Sequence, residues 1–155
     1  MKKTNLLARL VAVSAILFST LSFAGNDSEI DANGVILAGH DAVAYFTENA
    51  AVEGRAEFTA VHNNAIYRFS SAANRDLFSA NPSKYAPQFG GFCAYGAALG
   101  KKFEIDGKAF EVVDRKLYVN KNLDVYEVWV EDKSENIVEG DKQWTIIENV
   151  AAADL

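Results

Sequence analysis

Pairs of turn-forming residues divide this chain into short segments, and they constrain its fold more than any other feature of the sequence. The pairs are Asn63-Asn64, Asn81-Pro82, Gly90-Gly91, Asp106-Gly107 and Asp114-Arg115. Asparagine and glycine tolerate left-handed backbone, and proline disfavours helical geometry in the residue before it. The segments between the pairs carry both helix-type and strand-type patterns. The sequence therefore predicts a small domain of the α+β class.

Two neighbouring segments have the pattern of a β-hairpin. Residues 57–62 and 65–69 are β-type runs, and only Asn63-Asn64 separates them. A connection of two such residues favours the tight turns that join antiparallel strands. The sequence therefore predicts a hairpin at this point.

A helix is predicted directly after this hairpin. Ser70 and Ser71 supply hydroxyl groups that cap helix N-termini, and the helix is predicted over 72–80. Pro82 limits its C-terminal end, because the residue before a proline avoids helical geometry. Leu77 and Phe78 are expected on the face that packs inward.

The other segments are predicted to form further short elements. Asp41 is placed to cap a short helix that carries Tyr45. The remaining predictions are a strand over 35–37, helical segments over 83–86 and 92–99, strands over 102–105, 109–113 and 116–119, and helices beyond Asn120. The last three strands would form a small β-meander.

The N-terminus has the three-part pattern of a secretory signal. Lys2 and Lys3 precede an apolar run, and small residues stand at Ser22 and Ala24. This pattern predicts cleavage after Ala24 and a periplasmic or secreted protein without stable membrane insertion. Residues 25–33 are polar and lack periodicity, which predicts a flexible leader. Residues 34–155 would then form a single domain.

The charge of the chain restricts its partners. Removal of residues 1–24 takes away three basic residues and no acidic one, so the formal charge falls from −6 to −9. An acidic surface repels phosphate backbones and anionic headgroups. Nucleic acid and membrane surfaces are therefore excluded as expected partners, whereas cations and basic partners are favoured.

Cys93 is the single cysteine of the chain. Exported proteins usually use cysteines in pairs, and Cys93 has no partner for an intramolecular disulfide. It is therefore buried, free, or bonded to another molecule. The domain is long enough to fold on its apolar core without a covalent crosslink.

Several segments of the chain resemble the YHS domain family in its exported form. They are GHDAVAYF, AIYRFSSAANRDLF and NPSKYAPQFGGFCAYG, followed by KLYVN, and they span residues 39–120. The resemblance implies a hairpin followed by a helix, in the arrangement of a treble-clef-like knuckle. It also implies a connection with metal handling, because such domains are attached to heavy-metal transporters.

The cysteines of the metal-handling relatives are absent from this chain. Their DPVCGM-like and FCSxxC-like segments align with residues 41–46 and 69–74, which places Ala44, Ser70 and Asn74 at the three cysteine positions. Neither alanine nor a neutral hydroxyl replaces a soft thiolate. The fold is therefore expected to depend on an apolar core instead of a metal. That predicted core is Phe46, Phe58, Tyr67, Phe69, Leu77, Phe78 and Tyr85.

Three residues remain as candidate metal ligands: His40, Asp41 and Cys93. Imidazole and thiolate are good ligands for copper or zinc, and Asp41 is placed to orient the ring of His40. Each has a simpler interpretation, since free cysteines are often buried hydrophobes and His40 would serve as an exposed or capping residue. A copper or zinc ion is thus one alternative for an otherwise unknown ligand.

The sequence favours a binding protein over an enzyme. Cys93 and the two histidines lie in segments that carry no recognisable catalytic signature, and no carboxylate stands in a general acid or base motif. The predicted function is a non-catalytic, exported binding module of the YHS type for a small ligand, a metal ion or a protein. The alternatives are a metal-handling accessory protein that uses His40 and Cys93, and a thiol enzyme or redox sensor centred on Cys93.

Overall fold

Helices and hairpins alternate along residues 27–155, which are the part of the chain that the computed structural model describes. The elements are α1 (Ala44–Thr47), β1 (Arg55–His62), β2 (Ala65–Phe69), α2 (Ala72–Ala80), α3 (Pro82–Tyr85), α4 (Ala94–Ala98), β3 (Asp106–Val113), β4 (Lys116–Asn120), α5 (Leu123–Glu131) and α6 (Lys133–Ile147). The predicted α+β class is confirmed. No helix within these residues is long and apolar enough to cross a membrane.

The first hairpin and the helix after it form as predicted. Strands β1 and β2 pair antiparallel, with His62 opposite Ala65. Both turn residues, Asn63 and Asn64, have positive φ, as the two-residue turn requires. The Ser71 hydroxyl accepts a hydrogen bond from the backbone N–H of Asn74 and caps α2.

The second sheet is a two-stranded hairpin, so the prediction of a three-stranded meander was wrong. Residues 102–105 are irregular, and Gly107, which was expected in a turn, lies inside β3. The ring of His40 occupies the space that a side chain at position 107 would need. Glycine is thus required here by close packing, which a local sequence pattern does not reveal.

Strand β4 separates two apolar cores. Leu117 and Val119 point into the first core, which lies between β2, α2 and the segment around Tyr45. Tyr118 points to the opposite side, where it packs with Trp129 in the second core. This arrangement follows from the alternation of side chains along a strand.

Three further predictions differ from the structure. Residues 35–37, predicted as a strand, form isolated bridges, and a 3-10 turn covers Leu37–Gly39. Leu77 is 47% exposed, and only Phe78 of the pair points inward. Phe46 and Phe58 are partly buried at the edge of the first core. Residues one position apart on a helix face different directions, so Leu77 and Phe78 do not share the buried face.

The N-terminal strap, defined as residues 27–30, contacts the C-terminal end of α6 and the segment before α4. The backbone N–H of Asp27 donates to the Glu148 carbonyl, and that of Glu29 donates to the Gly90 carbonyl over 2.9 Å. The Asp27 carboxylate lies 3.1 Å from the Lys102 ammonium. The described part of the expected flexible leader is therefore anchored. The predicted signal peptide and residues 25–26 lie outside the described residues.

Candidate functional site

Asp41 is the centre of a buried hydrogen-bond cluster. Its Oδ1 atom accepts hydrogen bonds from the backbone N–H groups of Val43 and Ala44, over 2.9 and 3.3 Å. Its Oδ2 atom accepts from the Ser70 N–H and hydroxyl, over 2.8 and 2.7 Å, and from the Asn74 side-chain amide over 2.7 Å. The side chain of Asp41 is fully buried. Its carboxylate therefore caps α1 and connects it to the start of α2.

The cluster brings together the positions at which the resemblance to metal-handling relatives would place cysteines. Ser70 and Asn74 donate directly to the Asp41 carboxylate, and the backbone of Ala44 donates to its other oxygen. Five N–H and O–H donors point at the two oxygens, which leaves little room for a cation. The donor set around Asp41 therefore does not fit a copper or zinc ion.

His40 is buried beside this cluster but faces another direction. Its Nδ1 atom lies 3.0 Å from the Leu37 carbonyl, and because a carbonyl only accepts, Nδ1 donates and carries a proton. The ring packs against Gly107 and lies 6.5 Å from the Tyr45 ring. Nε2 is therefore the nitrogen that remains for any other partner.

Cys93 is buried near β4, with 1% of its surface exposed. Its thiol donates to the Asn120 side-chain oxygen over 3.6 Å, and its Sγ atom accepts from the Gly96 N–H. Burial raises the pKa of Cys93. The thiol therefore stays protonated and serves as the N-cap of α4.

We expect Cys93 to be unreactive in the native protein, because burial both blocks reagents and disfavours the thiolate. Alkylation by iodoacetamide at pH 8 should be at least about tenfold slower in the folded protein than in urea. Cys93→Ala should reduce the free energy of unfolding by about 1 kcal/mol. Rapid alkylation of the folded protein would contradict this and revive the redox alternative.

The three predicted metal ligands do not form one cluster. His40 interacts with Leu37 and Cys93 with Asn120, and the Asp41 oxygens are occupied by their own donors. Within residues 27–155, no group of three or more histidine, cysteine or acidic side chains is arranged to hold a metal ion. The metal interpretation thus stays a prediction from sequence, and these contacts add no support to it.

A cavity of about 230 Å³ lies where the strap, the first hairpin and α6 meet. Its walls come from the strap, the segment around Ile36, the first hairpin, the segment before α4 and the last turns of α6. The residues that matter most to its chemistry are Ser28, Tyr67, Gln88, Phe89, Asp141 and Trp144. The lining combines apolar side chains with an at least equal share of polar surface, so a ligand that fits it would carry hydrogen-bonding groups. The volume restricts the ligand to a small molecule.

Tyr67 places a hydroxyl group without a partner at this cavity. The residue is only 3% exposed, yet its hydroxyl forms no hydrogen bond with any residue between 27 and 155. Burial raises the pKa of Tyr67, so the hydroxyl stays protonated. Among the described residues, the fully buried polar side-chain atoms without a partner are Asn120 Nδ2 and Trp129 Nε1, so the Tyr67 oxygen keeps accessible surface at the cavity. The group is therefore available to a molecule in the cavity.

Two aromatic rings and one carboxylate form another part of the cavity wall. The Phe89 and Trp144 rings lie 5.9 Å apart at an angle of 54°. Asp141 and Trp144 are three residues apart on α6, which places their side chains on the same face of the helix. Within the described chain, Asp141 forms no ion pair or side-chain hydrogen bond. Burial and the Asp141 charge are the two largest effects that raise the pKa of Tyr118 to about 12.

Glu29 of the strap is the ionisable group with the strongest pH response near the cavity. Partial burial, followed by the negative charges of Glu104 and Asp31, raises the pKa of Glu29 from 4.5 to about 7. In the unfolded chain the carboxyl loses its proton near pH 4.5, whereas the folded chain retains it until near pH 7. The stability of the folded state therefore decreases as the pH rises through this window and is constant above it.

Replacement of this carboxyl tests the direction of the effect. Glu29→Gln should raise the free energy of unfolding by about 1–2 kcal/mol at pH 8, after allowance for partial exposure, and leave it unchanged at pH 4. Urea denaturation at several pH values measures this. Glu127→Gln, on the exposed side of α5, serves as the control. Equal pH profiles for the wild type and Glu29→Gln would contradict the assignment.

Sequence reasoning missed this cavity. It placed Tyr67 in the core, which is correct, and gave Trp144 no role beyond the helices predicted after Asn120. Asp141 and Gln88 carried no signal, because no motif surrounds them. Five separate segments meet at the cavity, and only the tertiary structure brings them together.

Comparisons with known proteins give no relative on which to base a function. No family model, no curated protein and no solved structure matches this chain.

Proposed function

We propose that this protein is a non-catalytic, exported binding module and that its ligand site is the cavity beside Tyr67. The observation that carries the proposal is the Tyr67 hydroxyl, which lines the cavity, stays protonated and has no hydrogen-bond partner in the described chain. A ligand atom that accepts or donates a hydrogen bond there would replace the contact of this hydroxyl with water. The aromatic wall supplies apolar contact for the rest of the ligand.

The position of Cys93 supports binding over the two alternatives. Metal handling through Cys93 and thiol chemistry both need an accessible thiolate, whereas Cys93 is buried with a raised pKa. The membership of the YHS family that the sequence resemblance implies is part of the proposal and would agree with a binding role.

A small-molecule library tests the proposal without assuming the ligand. Members of cationic, neutral and anionic classes are added to the isotope-labelled protein, and the indole N–H signals of both tryptophans are followed by NMR. Binding in the cavity should shift the Trp144 signal and leave that of Trp129, which is fully buried, in place.

Two tryptophan substitutions provide the matched comparison. Ser28→Trp fills the cavity from the strap and should abolish the shifts, whereas Ser134→Trp, on an exposed position of α6, should preserve them. Shifts that persist in Ser28→Trp would place the site elsewhere. A library without any member that moves Trp144 would contradict the proposal.

Export is tested separately, by the intact mass of protein collected from outside the cytoplasm. Ser22 and Ala24 present the small side chains that signal peptidase accepts, so the chain should begin at Gly25. A mass that retains residues 1–24 would overturn this part of the proposal.

A further inference from the structure

The charge and aromatic content of the cavity indicate more than a general binding site. We propose that it binds a small organic ammonium cation, an inference that rests on the proposed function. No lysine or arginine lines the cavity, and its one ionisable group with a negative charge is Asp141. An anionic ligand would meet this carboxylate without a compensating cation, so the charge of the site selects against anions.

The aromatic wall adds a second attraction for a cation. The faces of Trp144, Phe89 and Tyr67 carry the negative part of the ring quadrupole, and Trp is the strongest cation–π partner. Phe89 and Trp144 meet at an angle instead of stacking in parallel, and both rings line the cavity. Angled aromatic faces beside a carboxylate suit an alkylated ammonium group.

The Trp144 ring of this cavity already has one cation beside it, the Lys102 ammonium. The Lys102 ammonium lies 5.2 Å from the Trp144 ring and 5.3 Å from the Phe92 ring. Its charge is balanced by Asp27 and by the Glu148 and Val150 carbonyls. Asp141 is not used in that arrangement, and it therefore remains available to balance a second cation at the cavity.

The other polar groups of the cavity, on Tyr67, Gln88 and Ser28, can form hydrogen bonds with a ligand. The Tyr67 hydroxyl lies among the buried walls, and Gln88 and Ser28 stand at less buried positions. The side chains of Gln88 and Ser28 form no hydrogen bond with other residues between 27 and 155. A ligand with an ammonium group at one end and a hydroxyl or carbonyl at the other matches this distribution.

Choline, its neutral isostere 3,3-dimethylbutan-1-ol and the anion 3,3-dimethylbutyrate separate charge from shape. The Trp144 indole signal should shift with choline at a concentration about tenfold lower than with the alcohol, and should not respond to the anion. Asp141→Asn should weaken choline binding about fivefold and leave alcohol binding unchanged. Glu135→Gln removes an equal charge from an exposed position of α6 and should have little effect.

The outcomes distinguish this inference from the proposed function. Equal binding of choline and the alcohol would overturn the cation preference while the cavity stays a binding site. A preference for choline that Asp141→Asn does not reduce would remove the carboxylate from the inference. Absence of a Trp144 shift with any of the three probes, under conditions where library members do bind, would also overturn it.

Discussion

Asp41→Ala should lower the free energy of unfolding by about 3–5 kcal/mol, because it removes the acceptor of five buried or partly buried hydrogen bonds. The Ser70 and Asn74 donors would remain in the interior without their partner, and α1 would lose its cap. Urea denaturation followed by circular dichroism measures the change. A loss of this size is a large fraction of the stability of a small domain.

Two further substitutions keep this prediction testable if Asp41→Ala does not fold. Asn74→Ala removes a single donor and should cost about 1 kcal/mol. Glu127→Ala removes an exposed carboxylate and should leave the free energy of unfolding nearly unchanged. A stability of Asp41→Ala close to that of the wild type would show that the cluster contributes little to the fold.

Local sequence patterns predicted the first hairpin and the helix after it because their signals lie within the elements themselves. Asn63 and Asn64 determine the turn, and the Ser71 hydroxyl reaches only three residues ahead. Such short-range interactions are readable from sequence. Asp41 was likewise predicted to cap a helix, and its bonds to Val43 and Ala44 are of this local kind.

The other half of the Asp41 cluster could not be predicted in the same way. Its bonds to Ser70 and Asn74 join residues about thirty positions apart, and they depend on how α2 packs beside α1. The prediction of a turn at Gly107 was wrong for the same reason. This position in a strand requires glycine because the His40 ring packs against it, but in the sequence the glycine has the pattern of a turn residue. Long-range packing therefore accounts for the wrong assignment of Gly107.

The candidate ligand site in the cavity could not be predicted from the sequence either. Each of its polar residues is ordinary in its own segment, and Asp141 belongs to an exposed helix surface. Only the meeting of α6 with the segment around Phe89 places a carboxylate beside aromatic faces. By contrast, the acidic charge, from which the sequence predicted no binding to nucleic acid or membrane surfaces, was visible in the sequence and is compatible with the proposed cation.

Lys102→Met should lower the free energy of unfolding by about 2–4 kcal/mol. The Lys102 side chain is fully buried, and its ammonium connects the N-terminal strap to the residues that follow α6. It donates to the Asp27 carboxylate and to the Glu148 and Val150 carbonyls, over 3.1, 3.1 and 2.6 Å. Methionine preserves the apolar stem, so the loss reports on the charge and its hydrogen bonds. Hydrogen exchange at the amides of Asp27 and Glu29, which anchor the strap, should accelerate by at least about tenfold. Lys101→Met, at the exposed neighbouring position, should change neither stability nor exchange. If the two variants behave alike, the Lys102 ammonium does not hold the strap against the domain.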